Sequence, residues 1–140
     1  MDTNGNTKKL LIKDLSSRLP YNVIVDYAYN AYDLHKGNYV KHVKHGSKCI
    51  LACSLLDVFI SPRQNEAGEY IKPYLFPLSS MTDAEKEEYC QLQQRVIYNS
   101  KGHVNEDVTK YINYCYKKHL DINNLIHMGL AIDATNLNLY

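Results

Sequence analysis

Between His35 and Lys48 the chain carries four lysines (Lys36, Lys41, Lys44, Lys48), three histidines (His35, His42, His45) and Tyr39, with no acidic residue. Ammonium and imidazole groups at that density neutralise phosphate, and an aromatic ring among them stacks a base. The candidate ligand-binding set is therefore Tyr39, Lys41, His42, Lys44, His45 and Lys48, with an anionic, nucleotide-like molecule or a nucleic-acid strand as ligand. The same lysines have a use that needs no ligand, since charge along an exposed strand keeps sheets from pairing edge to edge. Arginine, the bidentate phosphate ligand, occurs only at Arg18 before Arg63.

Three other chemistries have candidate residues. His42, His45, Cys49 and Cys53 are zinc-type donors, but zinc needs four ligands converging tetrahedrally. On a regular strand His42 and His45 point to opposite faces, and Cys49 and Cys53 lie about 13 Å apart at roughly 3.3 Å per residue. No metal site is expected from them. Cys115 and His119, four residues apart on a helix, can touch as a nucleophile and its base. On the apolar face of an amphipathic helix, a small core residue and a boundary histidine are the simpler roles. Glu87 and Glu88 belong to a solvated acidic helix start, and no glycine-rich phosphate loop is present. The expectation is a protein that is not an enzyme, with no catalytic residue and no cofactor. A small hydrolase or nuclease is the alternative, and it requires histidine and carboxylate groups to converge in a cleft.

The elements that must position these residues change character midway. Residues 1–7 are polar and read as a disordered tail, with a single domain over 8–140. Lys8 to Ile12 reads as a short strand, Asp14 to Leu19 as a helical turn stopped by Pro20, and Tyr21 to Tyr27 as a half-buried strand. Tyr39 to Lys44 and Lys48 to Leu55 read as a hairpin turning at His45, Gly46 and Ser47, and residues 57–60 continue or re-pair it. SPRQNEAGE (61–69) is an exposed loop, and Tyr70 to Leu78, with Pro73 and Pro77, is an edge strand or strap.

Helices follow. Thr82 and Glu85 form a capping box for a helix over 83–97, with Tyr89, Leu92 and Val96 inward. Asn99 to His103 ends it, and Asn105 caps a second helix over 106–119 whose Val108, Tyr111, Ile112, Cys115 and His119 share a face. A third, over 122–127, stops at Gly129. The tail from Leu130 to Tyr140 is apolar enough to dock on the body. The order predicts an α+β fold: a small antiparallel sheet or half-barrel over residues 8–78, followed by two to three helices packed on it.

At 140 residues the chain suits one domain with its own core. Its 45% hydrophobic and 22% charged residues are ordinary globular material, and a net charge of +1 supplies no global field toward nucleic acid or membrane. The 13 tyrosines, against 2 phenylalanines and no tryptophan, are spread along the chain. No signal-peptide pattern or membrane-length apolar run is visible, so a cytoplasmic protein with no membrane partner is expected. Cys49, Cys53, Cys90 and Cys115 are expected to be free and mostly buried thiols.

The segments DLSSRLPYNVIV (14–25), IKPYLFPLSSMTDAEKEEY (71–89) and HLDINNLIHMGLAID (119–133) resemble recurring blocks of an uncharacterised family of small proteins from phages, prophages and mobile elements of gut Bacteroidota. The chain departs from that pattern at Phe76, where a basic residue is more usual, and over Ala134 to Tyr140, where an acidic, proline-containing ending is. The resemblance implies a setting in the bacterial host cell rather than an activity. The function expected is a phage or mobile-element accessory binding protein. One form it takes is counter-defence, by sequestering a host protein or an anionic ligand. Apolar strand faces and the apolar tail make a homo-oligomer an additional expectation.

Overall fold

Leu11, Asp14, Leu15 and Arg18 recur at helical spacing and are all buried, and in the computed structural model they form one face of α1, Asn6–Arg18. The structure describes residues 5–60, 70–98 and 104–140, apart from the side chains of residues 31–32, 43–48, 58 and 104–105. The strand expected over Lys8 to Ile12 is thus part of a helix. Its period is masked in the sequence because half of the buried face is charged. Asn6 and Thr7, expected in a disordered tail, begin this helix, while residues 1–4 lie outside the described part.

Pro20 stops α1 in a short 3-10 turn, and Asn22 adopts the left-handed conformation (φ 56°) that sends the chain into β1, Ile24–Asp33. β1 pairs antiparallel with β2, Asn38–Ile50. Asp33 builds the turn between them: its Oδ1 accepts from the N–H groups of His35 (2.8 Å) and Lys36 (3.2 Å), and Gly37 takes a φ of +66°. The hairpin therefore turns at Leu34 to Gly37, not at His45 to Ser47. The latter residues lie inside β2, where the register jumps from Val25↔Cys49 to Tyr27↔Lys44 and sets His45 to Lys48 against Asp26 alone. A glycine in a strand marks a bulge as readily as a turn.

The second arm ends at Ile50, and α2, Cys53–Ile60, replaces the strand expected to run through Leu55 and over 57–60. Short apolar runs fit either period. Here Leu55, Leu56 and Phe59 turn inward while Ser54 and Asp57 are exposed. β3, Tyr70–Leu75, pairs antiparallel with β1, and β4, Ile132–Asp133, pairs parallel with β3 at Tyr74 and Leu75. The sheet order is β2-β1-β3-β4, so the sheet is mixed rather than purely antiparallel. Pro73 lies outside the stretch that β4 covers, which leaves β3 an edge at that position.

α3, Asp83–Tyr98, begins with the reciprocal capping box: Thr82 N–H donates to Glu85 Oε1 (3.1 Å) and Glu85 N–H to Thr82 Oγ1 (3.2 Å). α4, Val104–Lys117, packs on it through Tyr89 and Tyr111, whose hydroxyls are 2.9 Å apart. The loop expected over 61–69 and the helix stop expected over 99–103 lie outside the described residues. No helix forms over 122–127. The Asp121 carboxylate takes the N–H groups of Leu125 (2.8 Å) and Ile126 (2.9 Å), and Asn124 is left-handed (φ 58°), so the segment is a run of turns. Gly129 is left-handed as expected (φ +75°), but with no helix before it the residue caps none.

The molecule is α+β, and both faces of its sheet are covered. Leu11 and Leu15 of α1 and Leu56 of α2 meet Val23, Val25, Ile71 and Leu75 on one face. On the other, Ile24 and Tyr74 meet Ala134, with Ile132 and Leu139 of the C-terminal segment beside them. The docking expected of the tail is thus the cover of the second face. The α3–α4 pair joins the body at the end of β3, through Met81, Cys115 and Leu120 against Phe76.

Candidate functional site

Strand alternation divides the basic hairpin between two faces. Tyr27, Tyr29 and His42 share one, because Tyr29 pairs with His42 and residues two apart point the same way. Tyr39 and Lys41 belong to the other, with Ala28 and Asn30. Of the sequence-expected set, then, His42 stands apart from Tyr39 and Lys41. All three are exposed, Tyr39 at 43%. Lys44 pairs in backbone register with Tyr27, His45 and Lys48 lie in the bulge, and the side chains of these three are outside the described part. β2 is an edge strand, so its lysines also meet the requirement for charge on a sheet edge.

What the register creates is a row of rings. Tyr27 and Tyr29 stack with centroids 5.6 Å apart and 24° between planes, and Tyr29 and His42 with centroids 5.0 Å apart and 18° between planes. Inserting a further ring requires about 7 Å, twice the ~3.5 Å contact distance. A flat ligand therefore lies on the end of the row or along its side. Alongside is a groove of about 330 Å³, walled by Tyr27, Tyr29 and Cys49 on one side and by Ala52, Ser54 and Leu55 on the other. The latter three stand at the start of α2, where the helix dipole favours an anion. The Tyr27 hydroxyl holds its proton above the usual range, first through loss of water and then through Cys49 and Tyr29, so the ring is a neutral stacking surface. Tyr27, Tyr29 and Cys49 were absent from the sequence-expected set. The alternation Tyr27, Tyr29 was the available signal, and the true position of the hairpin turn was needed to place His42 beside them.

The other chemically notable group is inside the body. Arg18 is fully buried; its Nε donates to Asp14 Oδ1 (2.5 Å) and its Nη2 to Asp14 Oδ2 (3.1 Å) and to the Leu120 carbonyl (2.7 Å). Asn123 Nδ2 adds a bond to Asp14 Oδ2 (2.8 Å), and the guanidinium lies 4.8 Å over the Tyr116 ring. His119 follows the end of α4 in the left-handed conformation (φ 56°), and its ring stacks on Tyr140 at 3.7 Å. Burial, followed by the Arg18 charge, lowers the His119 pKa to about 4. Burial pushes the Cys115 thiol up to about 11. The pair considered for nucleophilic chemistry is thus a protonated thiol and a neutral imidazole engaged with another ring.

Segments 14–25, 71–89 and 119–133 meet at this point. Beyond the Arg18 and Asn123 bonds, Phe76 N–H donates to the His119 carbonyl (2.8 Å) and Asp121 N–H to the Phe76 carbonyl (2.9 Å). Among the described residues no three His, Cys, Asp or Glu side chains group as metal ligands. Their helices include none long and apolar enough to cross a membrane. The four thiols are free; Cys115 is buried, whereas Cys53 and Cys90 are exposed and Cys49 is intermediate, so the mostly buried state expected of them holds for Cys115 alone. A larger hollow, about 490 Å³, is lined among the described residues by Gln91, Gln94, Arg95 and Tyr98 of α3. The chain matches no family model, no curated protein and no solved structure.

Proposed function

We propose that this chain is a non-enzymatic binding protein that holds a flat, anionic, nucleotide-like molecule along the Tyr27, Tyr29 and His42 row. The proposal includes its setting, a phage or mobile-element accessory protein acting in the bacterial cytoplasm, where removing a nucleotide signal from circulation would blunt a host defence. What supports the reading is a row of three near-parallel rings on one face of a hairpin whose span from His35 to Lys48 has four lysines and no acid. Stacking a base on an aromatic side chain is worth about 1–3 kcal/mol. Lysines and the start of α2 supply the counter-charge for phosphate, which a neutral groove would leave desolvated.

Calorimetric titration with nucleoside monophosphates and dinucleotides tests this. Binding is expected, and the combined Lys44→Ala, Lys48→Ala variant is expected to lose about tenfold or more in affinity while unfolding at the same temperature. Unchanged affinity in that variant removes the hairpin as the phosphate site. The same titration with single-stranded oligonucleotides separates a free nucleotide from a nucleic-acid strand: a strand ligand binds more tightly than its monomer, and its affinity falls steeply with added salt.

A further inference from the structure

A second recess, more enclosed than the hairpin groove, lies where the end of α4, the turn after β3 and the C-terminal segment meet. It has a volume of about 330 Å³. Phe76 and Met81 line it with apolar surface, and the stacked rings of His119 and Tyr140 contribute to its wall. Lys117, the last residue of α4, and Lys118 after it, both exposed, stand at its rim.

The charges there do not cancel. Glu85 is the acid lining the recess, and it is already engaged: Oε1 accepts from Thr82 N–H and Oε2 lies 3.7 Å from Lys118 Nζ. Among the described residues no carboxylate pairs with Lys117. Behind the recess sits the buried Arg18, which is ion-paired to Asp14 and whose Nη1 has no hydrogen-bond partner among the described residues. A cavity with apolar lining and one uncommitted rim cation suits an anion with an apolar body. The nearby Glu85 limits that anion to a single charge.

We infer that this recess is a ligand site for a small monoanion of the aromatic or branched-chain carboxylate class, with its apolar body against Phe76 and Met81 and its carboxylate at Lys117. The site stands on its own residues and does not depend on the hairpin groove. The test is an amide NMR titration with benzoate, benzyl alcohol and benzylamine as anionic, neutral and cationic probes of one shape. Benzoate is expected to shift Lys117, His119 and Tyr140 saturably and to bind about tenfold more tightly than benzyl alcohol. Lys117→Ala is expected to abolish most of that preference while leaving benzyl alcohol binding and thermal unfolding unchanged. Equal response to the three probes, no saturation at millimolar benzoate, or a preference that survives Lys117→Ala would each overturn the inference.

Discussion

Tyr29 is the ring common to both stacked pairs, with Tyr27 and with His42, whereas Tyr39 belongs to the opposite face of the same hairpin. This geometry separates two tyrosines that the sequence leaves equivalent. Tyr29→Ala is expected to weaken nucleotide binding by about 1–3 kcal/mol, and Tyr39→Ala to leave it unchanged, both measured by calorimetry. The reverse ranking would place the ligand on the other face. His119 supplies a pH dependence. Its folded pKa of about 4 lies below the ordinary 6.5, so the unfolded chain takes up a proton that the folded one refuses. The contribution to stability is complete above pH 6.5 and is lost as pH falls through the interval toward about 4. Asn tolerates the left-handed backbone, so His119→Asn removes the titration without straining residue 119. Urea denaturation at neutral pH and near the middle of that interval should show the parent losing more stability than the variant; equal losses would contradict this origin.

Caps and periods made α3 and α4 legible, because Thr82, Glu85 and the Tyr111, Ile112, Cys115 spacing each satisfy a local rule without help from the rest of the chain. Thr82→Ala removes one side of the box and is expected to cost about 1 kcal/mol in urea denaturation, with a matching loss of helical circular dichroism at elevated temperature. The missed elements share a different cause. α1 was hidden because Asp14 and Arg18 sit on its buried face, where they are acceptable only as each other's i,i+4 partners completed by Leu120 and Asn123 from across the fold. α2 was hidden because its apolar residues occupy consecutive positions that suit a central strand equally well. The absent helix at 122–127 has a chemical reason in Asp121, which takes backbone N–H groups that a helix would have used internally. His42 was legible from its basic neighbours. Its stacking partners were not, since they depend on which of two glycines, Gly37 or Gly46, turns the chain.

The C-terminal segment closes the body. The Tyr140 hydroxyl accepts from the N–H of the buried Ile24 (2.8 Å) and donates to the Tyr74 carbonyl (2.8 Å), joining β1 to β3 from outside the ladder. The residue as a whole is 46% exposed, and that one oxygen holds two backbone groups. Tyr140→Phe leaves both backbone groups without their partner and is expected to destabilise the protein by about 1–3 kcal/mol in urea denaturation; unaltered stability would show the clasp to be dispensable. With α1 and α2 on one side of the sheet and this segment on the other, the free edge at β2 presents the aromatic row beside an open groove. The most direct measurement is backbone and aromatic NMR of the full chain titrated with the nucleotide that calorimetry finds to bind best. The predicted result is saturable perturbation of Tyr27, Tyr29 and His42 ring signals and of amides at the start of α2, with the rest of the sheet unmoved. Saturation that leaves those three rings unperturbed would contradict the account.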